Sequence, residues 1–113
     1  MRVLVVEPHV SNYPNPIKVK KGEVLLIGEP DTEFEGWIRA KIKDGNEGWA
    51  PIQYIEFSKN SATGVAKTDY SAFELTTYIG QQLRVILELN EWYLAETSDG
   101  VLGWVPVKTV KIA

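Results

Sequence analysis

The chain has 113 residues, of which 44% are hydrophobic and 24% charged, the balance of a folded soluble protein with room for one ordinary domain or two very small ones. Its net charge of −3 excludes nucleic acid as the main partner, because phosphate recognition needs a basic surface. The absence of cysteine and the presence of one histidine exclude disulfides, thiol catalysis and Cys- or His-rich metal sites, so neither a metal nor a cofactor is expected.

In chain order, Arg2–Glu7 reads as a first strand that ends in a charge and a proline. Its apolar run is too short for an export signal, and no segment has the length of a membrane-spanning helix, so a cytoplasmic protein with no membrane partner is expected. Tyr13-Pro14-Asn15-Pro16 reads as a stiffened loop. Glu23–Glu29, Trp37–Lys43, Glu47–Ala50 and Ile55–Phe57 are rich in β-branched or aromatic residues and bounded by Gly, Pro and Asp, as strands are. Asp44-Gly45 marks a tight turn between two of them, since glycine tolerates the positive φ a hairpin needs. Ser58-Lys59-Asn60-Ser61-Ala62-Thr63-Gly64 is small and polar and reads as a linker, with a boundary near residue 60. Beyond it, Ser71–Tyr78 is the most helix-like stretch, but its flanks favour a loop. Asp99-Gly100 repeats the turn signal. No window holds a helical period for three turns.

The chain also repeats itself. Glu35-Gly36-Trp37-Ile38-Arg39-Ala40 leads to Asp44-Gly45-Asn46-Glu47-Gly48-Trp49-Ala50-Pro51. The second half has Glu91-Trp92-Tyr93-Leu94-Ala95 and then Asp99-Gly100-Val101-Leu102-Gly103-Trp104-Val105-Pro106. Two tryptophan pairs at one constant shift are hard to assign to chance. Lys21-Gly22-Glu23-Val24-Leu25 also resembles Ile79-Gly80-Gln81-Gln82-Leu83, with the register altered by a change in loop length. Short strands at this density predict an all-β fold of two consecutive five-stranded barrels, one over 1–58 and a divergent one over 64–113. Alternation then turns Ala50 and Val105 inward and Trp49 and Trp104 outward, either as lids on the sheet or as contacts between modules or subunits.

This pattern resembles the Src-homology-3 (SH3) family in tandem, and in particular its bacterial variant form. The features that carry the resemblance are Lys21-Gly22-Glu23, the acidic loop Glu29–Gly36 before Trp37, and Gly48-Trp49-Ala50-Pro51 running into Ile52-Gln53-Tyr54-Ile55. The family's opening Ala-Leu-Tyr-Asp-Tyr segment falls on Val5-Val6-Glu7-Pro8-His9 in the first copy and on Ala66-Lys67-Thr68-Asp69-Tyr70 in the second. The resemblance implies a non-catalytic module that binds an extended, proline-containing peptide in an aromatic groove. In the first copy it assigns that groove to His9, Tyr13, Trp37, Pro51 and Tyr54, with Asp31, Glu33 and Glu35 placed to attract a basic ligand residue. A weaker second groove has Tyr70, Trp92 and Pro106, with Thr109 where the family has tyrosine. The expected partner is a peptide or protein, and a homodimer is left open. The alternatives are a cell-wall or glycan-binding repeat, whose aromatic faces stack on sugars, and a structural assembly module. No acid pair, Ser–His pairing or phosphate-loop spacing supports an enzyme.

Overall fold

The computed structural model describes residues 1–113. The first half of the chain carries β1 (Arg2–Val5), β2 (Lys18–Val19), β3 (Val24–Pro30), β4 (Trp37–Lys41), β5 (Glu47–Pro51) and β6 (Ile55–Phe57). The second half carries β7 (Thr63–Ala66), β8 (Tyr70–Ser71), β9 (Gln82–Leu89), β10 (Trp92–Glu96), β11 (Leu102–Pro106) and β12 (Val110–Ile112). A single turn of 3₁₀-helix, Ile52–Tyr54, joins β5 to β6, and Val107–Thr109 joins β11 to β12. There is no α-helix, and Ala72–Tyr78 is a loop with one isolated bridge from Glu74 to Trp104. Each strand read from the first half is present to within two residues at either end.

The pairing of the strands departs from the expected order. The chain forms two compact units, Asn15–Ala72 and the combination of Met1–Pro14 with Phe73–Ala113. In the continuous unit the sheet runs β5-β4-β3-β7-β6, and β2 and β8 form a separate pair. In the discontinuous unit the sheet runs β11-β10-β9-β1-β12. The opening strand of each sequence copy therefore completes the sheet of the other copy. β1 pairs with β9 and β12, through Val3↔Leu83 and Val5↔Val110. β7 pairs with β3 and β6, through Leu25↔Gly64 and Ile55↔Ala66. The spatial division near residues 14 and 72 thus differs from the expected sequential one near 58 and 64. Each sheet is also open rather than closed into the expected barrel: the 3₁₀ turn interrupts the ladder where the ring would have to shut.

Two local causes account for the exchange. The first is the segment expected to be a linker, which is a hairpin loop. Ser58 N–H donates to the Thr63 carbonyl at 3.0 Å, Ser61 N–H to the Ser58 carbonyl at 3.0 Å, and Ala62 N–H to Asn60 Oδ1 at 3.0 Å. Ser61 takes a positive φ of 58°. Small polar residues suit a turn as well as a linker, so the chain turns directly from β6 into β7. The second cause is size. By register Gly64 and Ala66 stand where β1 has Val3 and Val5. A Cβ at Gly64 would lie 2.5 Å from Ile55 Cγ2, so a valine has no room there. In the other sheet the position of Ile55 is taken by the smaller Val110, and Val3 and Val5 are fully buried in a cluster with Leu75, Leu83, Tyr93, Ala95 and Val105. Each opening strand lies in the sheet that fits its side chains.

Alternation places the remaining core. Leu25, Ala40, Ala50 and Ile55 are buried in the continuous unit together with Ile17 and Val19. Trp49 is half-buried with the Arg39 guanidinium 5.3 Å above its ring, as expected of a lid on the outer face. Trp104 differs: it is buried at 4% exposure, although it is not part of the core cluster that holds Val105.

Candidate functional site

In the continuous unit, Trp37 opens β4 directly across the ladder from Pro51 at the end of β5. Pro51 leads into the 3₁₀ turn, which ends on Tyr54. The Lys67 N–H donates to the Tyr54 carbonyl at 2.8 Å and so draws the second copy's opening segment onto this turn. That contact sets Tyr70 against Tyr54, with ring centroids 5.9 Å apart and planes at 74°, the edge-to-face arrangement that aromatic quadrupoles favour. The Tyr70 hydroxyl donates to the Trp49 carbonyl at 2.8 Å. Trp37, Pro51 and Tyr54 are thus brought together as expected, and Tyr70 joins them from the copy expected to serve the other groove. His9 and Tyr13 belong to the discontinuous unit.

Most of this aromatic surface is covered. Tyr54 is half-exposed, whereas Pro51 and Tyr70 are buried and Trp37 shows only 5% of its surface. The acidic loop before Trp37 divides its labour. Asp31 Oδ1 accepts from Glu33 N–H at 2.8 Å, and the Asp31 N–H donates to the Trp37 carbonyl at 2.8 Å, so this carboxylate shapes the loop. Glu33 and Glu35 have exposed side chains and supply negative charge beside the cluster.

The discontinuous unit repeats the plan with different residues. Trp92 opens β10 opposite Pro106. His9 meets the half-exposed Trp92 edge-on, with centroids 5.6 Å apart and planes at 84°. His9 Nε2 lies 2.8 Å from Glu74 Oε1, while its backbone N–H donates to Thr77 Oγ1 at 2.9 Å and its carbonyl accepts from Thr77 N–H at 2.8 Å. Thr109, in the tyrosine position, is buried and donates to the Pro106 carbonyl at 2.7 Å, which leaves that end of the cluster without an aromatic wall. Glu74 was missed by the sequence reasoning. Its one signal was that it is the sole acid between Asp69 and Glu88, and its meaning depended on knowing that the chain changes unit just before it.

The comparison with known families decides what these clusters belong to. Residues 2–58 match the variant SH3 domain. The chain belongs to the variant SH3 family. The family is one of non-catalytic interaction modules, and the match ends where the second sequence copy begins. Among curated proteins, the SH3 chain is similar to formin-binding protein 1-like of Xenopus laevis, 41% identical over 51 residues that make up 45% of this chain and 9% of that protein. It is also similar to human formin-binding protein 1-like, 38% identical over 58 residues, or 50% of this chain and 9% of that protein. Myosin IB heavy chain of Dictyostelium discoideum is 27% identical over 48 residues, 42% of this chain and 4% of that protein. The chain therefore spans less than a tenth of the length of these relatives. All three are eukaryotic, so the expected bacterial form draws no support from them. No solved structure matches the chain. No helix is long and apolar enough to cross a membrane.

Proposed function

We propose that the chain is a protein-interaction module whose continuous unit receives an extended, proline-containing peptide over Trp37, Pro51, Tyr54 and Tyr70. The Tyr54–Tyr70 pair beside the Trp37–Pro51 rung carries this reading, because ridged aromatic surfaces accept the proline rings of a polyproline II segment. Glu33 and Glu35 favour a ligand with a basic residue at one end. The relatives that are named formin-binding support a protein rather than a small molecule as partner. With much of the aromatic surface covered, affinity is modest, roughly 1–100 μM. The second copy is read as a divergent module of the same kind, and its own opening strand and Tyr70 serve the first copy's site.

A chemical-shift titration of the full chain with an arginine-bearing proline-rich peptide tests this. Shifts are expected at the Trp37 indole, Tyr54 and Tyr70. Tyr70→Ala weakens binding about tenfold, the effect of losing one well-packed aromatic anchor, and His9→Ala leaves it unchanged. No shift at millimolar peptide, or a loss on His9→Ala in place of Tyr70→Ala, refutes the reading.

A further inference from the structure

The discontinuous unit carries a second groove, beside the turn between β10 and β11 and separate from the Trp92–Pro106 rung. It has a volume of about 710 Å³, within the range of ligand-sized clefts. Tyr13, Phe73, Tyr78 and Val101 form its apolar walls, and Phe73, Tyr78 and Val101 keep 37%, 66% and 42% of their surface exposed. Its charged lining residues are Glu74 and Asp99, and no lysine or arginine lines it. Glu74 is engaged with His9. Asp99 is the exposed carboxylate, and the Thr97 hydroxyl donating to it at 2.6 Å, with its own backbone amide, holds it below the ordinary carboxylate range.

Turn chemistry accounts for an aspartate before Gly100, since Asp44 before Gly45 does the same work by accepting from Asn46 N–H at 2.8 Å. It does not account for the character of the surrounding surface. The matching hairpin of the other copy has its own groove, lined by Lys41 and Lys43 with a single acid, Glu23. In the second copy those lysine positions are Glu96, which pairs with Arg84 at 2.7 Å, and Ser98, and of the two only Ser98 lines the aromatic groove. The lysines of the first copy's groove thus have no basic counterpart in the second copy's groove, and only the second is walled by aromatic rings.

We propose that the groove of Tyr13, Phe73, Tyr78 and Asp99 is a second binding surface, and that its occupant is an arginine side chain of an extended peptide. A guanidinium stacks on aromatic faces while its stem covers apolar surface, and its charge complements a carboxylate at the rim. This surface needs no proline in the ligand, which separates it from the Trp37–Tyr54 site.

The probe is a capped, proline-free pentapeptide with one central arginine, titrated into the ¹⁵N-labelled full chain beside the same peptide with citrulline in place of arginine. The arginine peptide shifts the amides of Phe73, Tyr78, Asp99 and Gly100 and leaves Trp37 and Tyr54 unmoved, while citrulline produces no shift. Asp99→Asn raises Kd at least threefold. Tyr78→Ala, at an exposed position outside the hairpin, does the same with the hairpin turn intact. Equal binding of the citrulline peptide, shifts centred on Trp92 or Trp37, or no shift at millimolar excess overturns the proposal. None of these results bears on whether proline-rich peptides bind at Trp37.

Discussion

At the scale of single residues, Glu91 shows how much the loop lengths matter. Asn90 and Glu91 both have positive φ, 49° and 70°, and together they make the two-residue turn between β9 and β10, with Leu89 opposite Trp92. Such a turn favours Asn-Gly, because a side chain in the left-handed region crowds its own carbonyl. Glu91→Gly is therefore expected to stabilise the discontinuous unit by about 1 kcal/mol, read as a rise in the urea midpoint without a change in slope. The equivalent loop in the first copy is longer, built around Asp31 and closed by Gly36 at φ 96°. This difference is plain in the sequence, where Glu29–Gly36 precedes Trp37 but the acidic stretch before Trp92 shrinks to Glu88–Glu91. The positions of Trp37, Pro51 and Tyr54 were visible too, because a strand start, a strand end and the following turn are each set by their immediate neighbours. The roles of His9, Tyr13, Glu74 and Tyr70 were not, since each depends on which distant strand its segment joins.

At the scale of elements, the informative strand is β7. Its likeness to β1 was legible where Ala66 aligns with Val5, whereas Thr63 and Gly64 read as the end of a linker. That likeness concealed the pairing: two strands with the same pattern satisfy the same ladder, and only side-chain size separates them. Gly64 and Ala66 are small where Val3 and Val5 are large, and the Ile55 methyl lies where a Cβ at Gly64 would go. Gly64→Val reproduces the side chain of β1 in the wrong sheet. It is expected to destabilise the continuous unit by about 1–3 kcal/mol through overpacking. Amide exchange should accelerate at Leu25, Ile55 and Ala66 and stay unchanged at Leu83 and Val105.

At the scale of the whole chain, the exchange makes the two sequence copies dependent on each other, and truncation exposes that dependence. Removing Met1–Val5 deletes β1 and with it Val3 and Val5, two fully buried members of the discontinuous unit's core. Burying each contributes about 1.5–3 kcal/mol, a large share of the roughly 5–15 kcal/mol that holds a small domain together. The expected result is loss of amide protection at Leu83, Tyr93 and Val105, residues remote in sequence from the deletion, with protection retained at Leu25 and Ile55. Modules folded in simple succession predict the reverse pattern, so a hydrogen-exchange map of the truncated chain distinguishes the two arrangements.

The pairing of the first strand with the last also fixes how the protein answers a mechanical load. Arg2 and Ala113 face each other at one end of the β1–β12 seam, joined by a hydrogen bond of 3.1 Å from the Ala113 N–H to the Arg2 carbonyl, and Val5 faces Val110 further in. Tension applied to the two termini strikes this seam from its open end, so the rungs separate in sequence instead of resisting together in shear. Stretched between the beads of an optical trap, the chain should peel at low force, surrendering the discontinuous unit first. Asn15–Ala72, enclosed between the two separated strands, should then rupture as a later event.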